Sequence, residues 1–313
     1  SNMTKEKIKD LIAKMTLEEK AAMCSGADFW HTESCERLGI PASMVSDGPH
    51  GLRKQDDKAD HLGVNESIKA VCFPAGCGTA ASFNRDLLYH MGETLGNECQ
   101  AEGVSVILGP AVNIKRSPLC GRNFEYYSED PFLTGELATA YISAMQEHGV
   151  GTSLKHFAGN NQETHRMTSN SMIDDRALHE IYLSAFEKAV KKAKPATVMA
   201  SYNYINGLPA CENSHLLTEI LREKWGYEGL VMSDWGACVD LPACVAAGMD
   251  VEMPDSNGNH FKDLSNAIKT GKLPVSKLAE AAQRIKELEE TYGRGQRIGK
   301  RLNCVVHETR CRN

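Results

Sequence analysis

Short apolar runs alternate with amphipathic helical stretches along most of this chain, and that alternation restricts the fold more than any other feature. The candidate strands are Ser43–Ser46, Val104–Leu108, Val150–Leu154, Thr197–Ser201, Leu230–Ser233 and Met249–Met253, with a seventh near Ala70–Phe73. Each is short, apolar and followed closely by polar residues. Between them, Leu178, Ile181, Tyr182, Ala185, Phe186, Ala189 and Val190 recur at the i, i+3, i+4 spacing of one buried helical face, as do Val275, Leu278, Ala282, Ile285 and Leu288. Thr16-Leu17-Glu18-Glu19 has the form of a capping box and predicts a helix opening at Leu17. Strands separated by helices pair in parallel, because a parallel crossover needs room that a helix usually supplies.

Two parallel architectures compete. An open dinucleotide-type sheet requires a Gly-rich turn after an early strand. No G-x-G-x-x-G is present, and Gly48-Pro49-His50-Gly51 is a poor substitute. A closed (β/α)8 TIM-like barrel instead places polar residues just past several different strands. Asp47, Asn113, Lys155-His156, Tyr202 and Asp234 are placed in that way. The expected fold is therefore α/β, a barrel over residues 1–292, with residues 293–313 a basic linker or tail. Six or seven strands can be named, which leaves the full count of eight open.

Composition narrows the function. The 313 residues carry a net charge of only −6 and no dense Lys/Arg block, so a nucleic-acid partner is not expected. No apolar run approaches the roughly 20 residues of a membrane span. Ser1-Asn2-Met3 reads as an expression remnant before a native Met, and the stretch from Lys5 to Lys20 is charged and amphipathic, unlike a signal peptide. The 11 cysteines include no C-x-x-C pair, so a zinc ribbon or redox motif has no support. Reduced thiols in a cytoplasmic protein are the expectation.

The sharpest chemical feature is Leu230-Val231-Met232-Ser233-Asp234-Trp235, where an apolar strand delivers a carboxylate beside an aromatic face able to pack on a sugar ring. Its bland alternative, a strand-end Asp capping the next helix, has about equal weight on this segment alone. Lys155-His156 could hold sugar hydroxyls, although a solvated Lys and a satisfied histidine are commoner. The spacing of His156 and His165 fits no metal motif. Asp47-Gly48-Pro49-His50-Gly51-Leu52-Arg53 doubles as ordinary turn chemistry, and Arg122 with Glu125, Glu129 and Asp130 doubles as a surface ion-pair cluster.

In series these segments are more specific. Asp47-Gly-Pro-His-Gly-Leu-Arg, Gly121-Arg-Asn-Phe-Glu-Tyr-Tyr-Ser-Glu-Asp-Pro, Lys155-His-Phe-Ala, Asn160-Asn-Gln-Glu-Thr-His-Arg, Ser201-Tyr-Asn and Met232-Ser-Asp-Trp follow one another in the order found in glycoside hydrolase family 3. The chain resembles the β-glucosidase branch of that family over roughly Met15 to Thr291. The resemblance implies a retaining hydrolase of terminal β-linked glucosides, with Asp234 as nucleophile. It further implies that Asp47, Arg53, Arg122, Lys155, His156 and Arg166 hold the sugar, that Tyr202 hydrogen-bonds near the nucleophile, and that Trp235 walls the entrance. Lys155-His-Phe-Ala-Gly-Asn-Asn lacks the second His of the N-acetylglucosamine branch. The partner implied is a small carbohydrate, with no metal or organic cofactor.

A retaining mechanism also needs an acid. In the resembled branch it is a Glu on a second domain after the barrel, and this chain ends where that domain would start. The acid is then expected from a second domain or another chain, or else from a local Glu163 or His165. A sugar-binding barrel without turnover, a β-xylosidase or phosphorylase of the same family, and an aldolase using Lys155 as a Schiff base are the alternative readings.

Overall fold

The computed structural model describes residues 3–47, 84–113, 130–158, 170–171 and 174–293. The candidate strand Ala70–Phe73 and the tail from 294 onward lie outside the described residues.

Five strands form one all-parallel sheet in the order β1-β2-β3-β4-β5: β1 (Val45–Ser46), β2 (Val106–Ile107), β3 (Gly151–Phe157), β4 (Thr197–Ala200) and β5 (Leu230–Ser233). Each hydrogen-bonds to the next in sequence, the neighbour relation of a barrel and not of a doubly wound sheet. Met249–Met253 continues the series as a bridge from Val251 to Met232, shorter than the strand expected there. Its backbone bonds alternate: Ser233 N–H donates to the Val251 carbonyl at 3.1 Å, while Glu252 N–H donates to the Cys24 carbonyl at 2.9 Å. The sheet therefore curls from β5 back toward the start of the chain. All of this agrees with a TIM-like barrel fold.

Side chains along the strands divide by parity, as a pleat requires. Ile107, Leu154, Val198 and Val231 pack with Leu95, Tyr141, Ile142 and Phe186 on the surrounding helices. Val45, Val106, Met199, Leu230 and Met232 pack in a second cluster with Ile8, Ile12, Ile285 and Leu288. Both sheet faces are dry, which is why these strands read as nearly unbroken apolar runs.

The helices begin where local chemistry starts them. Helix α1 (Lys5–Ala13) is capped by Thr4, and α2 (Leu17–Met23) by the predicted capping box. There, Thr16 Oγ1 accepts from Glu19 N–H at 3.1 Å and Glu19 Oε1 accepts from Thr16 N–H at 2.9 Å. Next come α3 (Arg85–Ala101) and α4 (Pro131–Glu147), the latter with Asp130 as cap and Pro at the first position. Before α5 (Ser184–Ala193) the chain makes a π-turn over Leu178–Tyr182, where Leu183 N–H donates to the Leu178 carbonyl. The extra residue shifts the helical phase, so Leu183 joins Leu178, Ala185, Phe186, Ala189 and Val190 in the core while Tyr182 is only partly buried. Between β4 and β5 a π-helical segment, His215–Lys224, packs Leu216, Leu217, Ile220 and Leu221 into the core, and helices α6 (Leu241–Ala247), α7 (Asn259–Lys269) and α8 (Val275–Leu288) follow β5. On α8 the expected face is buried except at Val275, which is 48% exposed because it opens the helix after Pro274.

Candidate active site

The C-terminal ends of β1, β3 and β5 bring four of the expected residues together. Strand β5 ends at Ser233, and Asp234 N–H donates to the Ala200 carbonyl at 2.9 Å, so its backbone continues the ladder with β4. The side chain is nearly buried, the residue being 7% exposed. Oδ1 accepts from Trp235 N–H at 2.8 Å, and Oδ2 lies 3.7 Å from His156 Nε2.

Strand β3 supplies Lys155 and His156 from adjacent positions, which a regular pleat would send to opposite faces. Between Leu154 and Phe157 the register against β4 slips: Leu154 pairs with Val198, but Phe157 pairs with Ala200. One extra residue is thus accommodated in β3, a bulge of the kind that re-aims side chains beside sites. The Lys155–His156 and Phe157–Ala158 peptide bonds are cis. Asn113 brackets the irregular segment, accepting from His156 N–H at 2.8 Å and donating from Nδ2 to the His156 carbonyl at 2.9 Å. Lys155 is buried, and its Nζ donates to Asp47 Oδ1 at 3.3 Å across to the end of β1. A buried ammonium is tolerable only when paired, and Asp47 supplies the pair.

Trp235 stands beside the carboxylate. Its backbone carbonyl accepts from the Tyr202 hydroxyl, and its indole N–H donates to the Phe29 carbonyl at 2.9 Å. Its ring lies 5.6 Å from Trp30 and 6.3 Å from Phe29, so three aromatic residues form one wall. Asp28 fastens the base of that wall, accepting from Trp30 N–H at 2.9 Å and from His31 N–H at 2.8 Å. Burial pushes the Asp28 carboxyl up, but these donors and the His31 ring outweigh it and leave it below the usual carboxylate range. Sequence reasoning missed Phe29 and Trp30. The signal was a pair of adjacent aromatics in an otherwise polar loop, without periodicity to mark it.

Just past Tyr202 the chain folds into a small hairpin, Tyr204–Ile205 against Leu208–Pro209, turned by Asn206 and Gly207 at positive φ of 48° and 91°. Asn-Gly is the preferred pair for such a two-residue turn. Arg53, Arg122 and Arg166 lie outside the described residues, as do Glu163 and His165. Among the described residues, donor atoms suited to a metal converge at Cys238, Glu252 and His260 on the segments after β5.

A carboxylate tethered by a backbone N–H, faced by an imidazole and walled by aromatic rings is equipped to approach a polar ring carbon and to stabilise positive charge there. Residues 16–288 match the Glycosyl hydrolase family 3 N terminal domain. The chain is 55% identical over 278 residues to thermostable β-glucosidase B of Acetivibrio thermocellus, covering 89% of this chain and 37% of that protein. It is 49% identical over 284 residues to an exo-α-(1→6)-L-arabinopyranosidase of Bifidobacterium breve, covering 90% of this chain and likewise 37% of the relative. In three dimensions it superposes on β-glucosidase 3B from Thermotoga neapolitana, solved with glucose, at a TM-score of 0.89 and 37% identity, covering 97% of this chain and 45% of that one. It matches the GH3 β-glucosidase of Bifidobacterium adolescentis at 0.84 and 47% identity, over 92% of this chain and 40% of the other. The chain thus spans about 37–45% of the length of these relatives, and it belongs to glycoside hydrolase family 3, whose N-terminal barrel domain it comprises.

Proposed function

We propose that this barrel forms the sugar-binding and nucleophilic half of a retaining β-glycosidase acting on terminal glucosides. The observation that supports this best is Asp234, a nearly buried carboxylate at the end of β5, tethered by Trp235 N–H and facing His156. Asp234 attacks the anomeric carbon from the face opposite the departing oxygen. The carbon–oxygen bond breaks, the leaving oxygen takes a proton from the acid, and a glycosyl–aspartate ester remains. Water then attacks the same carbon, giving its proton to the acid residue left deprotonated by the first step, and Asp234 departs as carboxylate. Asp47, Lys155 and His156, with Arg53, Arg122 and Arg166, hold the sugar hydroxyls. Tyr202 fixes the backbone of Trp235, and the wall of Trp235, Trp30 and Phe29 carries the sugar's apolar face. No step requires a cofactor.

The acid belongs, in this proposal, to a part of the whole protein beyond this barrel, a second domain or a partner chain. A glycoside with an activated leaving group needs little protonation to depart, whereas an alkyl glycoside needs much. The chain alone should therefore cleave an aryl β-glucoside slowly and cellobiose hardly at all. Comparable rates on both would place the acid within this chain. Asp234→Ala should abolish aryl-glucoside turnover, with azide restoring it and giving the α-glucosyl azide. Absence of rescue, or a β-azide, removes Asp234 from the nucleophile role. A panel of aryl glycosides tests the sugar: the β-glucoside should be cleaved faster than the α-L-arabinopyranoside for which the Bifidobacterium breve relative is named.

A further inference from the structure

A second constellation lies on the segments that follow β5. Glu252, at the bridge after Val251, is buried, and its two oxygens have separate partners. Oε1 accepts from Ser25 Oγ at 2.8 Å, while Oε2 lies 2.6 Å from His260 Nδ1. His260 sits in the first turn of α7, its side chain 26% exposed. Cys238, in the loop between Trp235 and α6, directs its thiol to the same place. The Cys238 sulfur, a Glu252 oxygen and the His260 ring nitrogen all lie within 4.8 Å of one another.

We infer that Cys238, Glu252 and His260 form a transition-metal site of the zinc class, distinct from the glycosidase chemistry proposed for Asp234. A thiolate, an imidazole and a carboxylate are the donor types that Zn²⁺ and Co²⁺ accept together, and three protein ligands leave a fourth position for water. Around one tetrahedral ion, such donors stand about 3.3–3.6 Å apart. From the present spread, the 2.6 Å contact between Glu252 and His260 opens, and the donors that now stand up to 4.8 Å apart draw together around the ion, with part-exposed His260 as the side chain that moves. The metal lies between Glu252 Oε2 and His260 Nδ1, which now contact each other directly. Ser25 holds the remaining carboxylate oxygen, the outer support by which metal ligands are normally oriented. The three ligands come from a loop, a strand bridge and a helix start, so no sequence spacing announces them.

Binding releases the thiol proton. Cys238 Sγ now donates to Cys244 Sγ at 3.5 Å, and metal binding breaks that contact as the thiol gives its proton to solvent. The test is titration of the full chain with Co²⁺, under a metal-free phosphine reductant. One equivalent should bind with a thiolate-to-cobalt charge-transfer band, and Zn²⁺ should displace it. Zn²⁺ should also raise the melting temperature. Cys238→Ser should abolish the band, and His260→Ala should weaken Co²⁺ binding at least tenfold and remove the Zn²⁺-induced rise in melting temperature. Should Cys238→Ser not fold, His260→Ala, changed at a part-exposed position, decides alone. No charge-transfer band in the wild type, or a band and affinity unaltered in His260→Ala, overturns the inference. Neither result bears on Asp234.

Discussion

Asn113→Ala is the substitution that most directly probes how the site is held. Asn113 is buried, and its amide makes both a donor and an acceptor contact with the backbone of His156. No other side chain type of that size offers both at once in this geometry. Alanine leaves a buried N–H and a buried carbonyl unsatisfied, each costing about 1–3 kcal/mol. The expected loss is therefore about 2–6 kcal/mol, a large part of the ~5–15 kcal/mol that stabilises a typical domain. Asn113→Asp retains the acceptor for His156 N–H but turns a second oxygen toward the His156 carbonyl, so it should be at least as damaging as alanine. Urea unfolding followed by fluorescence reads the effect as a shift in midpoint at constant slope. Activity on an aryl glucoside should fall more steeply than the folded fraction, since His156 stands 3.7 Å from Asp234 and a misplacement of about 1 Å can cost ~100-fold. If Asn113→Ala unfolds within about 0.5 kcal/mol of the parent, the range of an inconsequential surface change, the bracket contributes nothing and the reasoning about β3 is wrong.

Asp250 is buried and accepts from Arg222 at 2.7 Å, Arg284 at 2.8 Å and Val231 N–H at 2.8 Å. Asp250→Ala removes the carboxylate that pairs with both guanidinium groups and leaves the buried Val231 N–H without its acceptor, and should cost about 3–5 kcal/mol, measurable by calorimetry. Phe157→Ala should cost a similar ~3–5 kcal/mol, because the ring packs edge-on against Phe186 at 5.3 Å and Trp225 at 5.9 Å. The lowered pKa of Asp28 fixes the sign of an acid response: the folded loop favours the carboxylate, so its contribution is present above the ordinary value near 3.9 and is lost as pH falls further. Tryptophan fluorescence from Trp30 and Trp235 should report that loosening, and Asp28→Asn should remove the pH step. Thr16→Ala, which breaks the capping box of α2, should destabilise by about 1 kcal/mol in the same urea assay.

The parts of the fold legible in the sequence are those governed by local pattern. Leu230–Ser233 is legible to the residue because both its faces are apolar, and the capping box locates the start of α2 because its two bonds span only three residues. Strand β3 extends three residues past the expected Leu154 because Lys155 and His156 look like loop residues. Their burial depends on Asp47 and Asn113, contacts spanning 108 and 43 positions. A polar residue satisfied from so far away carries no local mark. The π-turn before α5 shows the complementary failure, since an unbroken i, i+3, i+4 pattern omitted Leu183. Asn206-Gly207 is a local turn signal, whereas the contact between Ser25 and Glu252, 227 residues apart, lies beyond any local rule. The bulge that sets Lys155 and His156 side by side depends on pairing with β4, so motif order, and not pattern, pointed to that pair.

The central claim is that the Asp234 carboxylate bonds to the anomeric carbon. A 2-deoxy-2-fluoro-β-glucosyl fluoride carries its own leaving group and forms an ester that hydrolyses slowly, so it reports the nucleophile without requiring the acid. After incubation and proteolysis, mass spectrometry should find one fluoroglucosyl group on the peptide containing Leu230 to Trp235, with fragmentation placing it on Asp234. A label on any other carboxylate, or inactivation with no label at Asp234, contradicts the account.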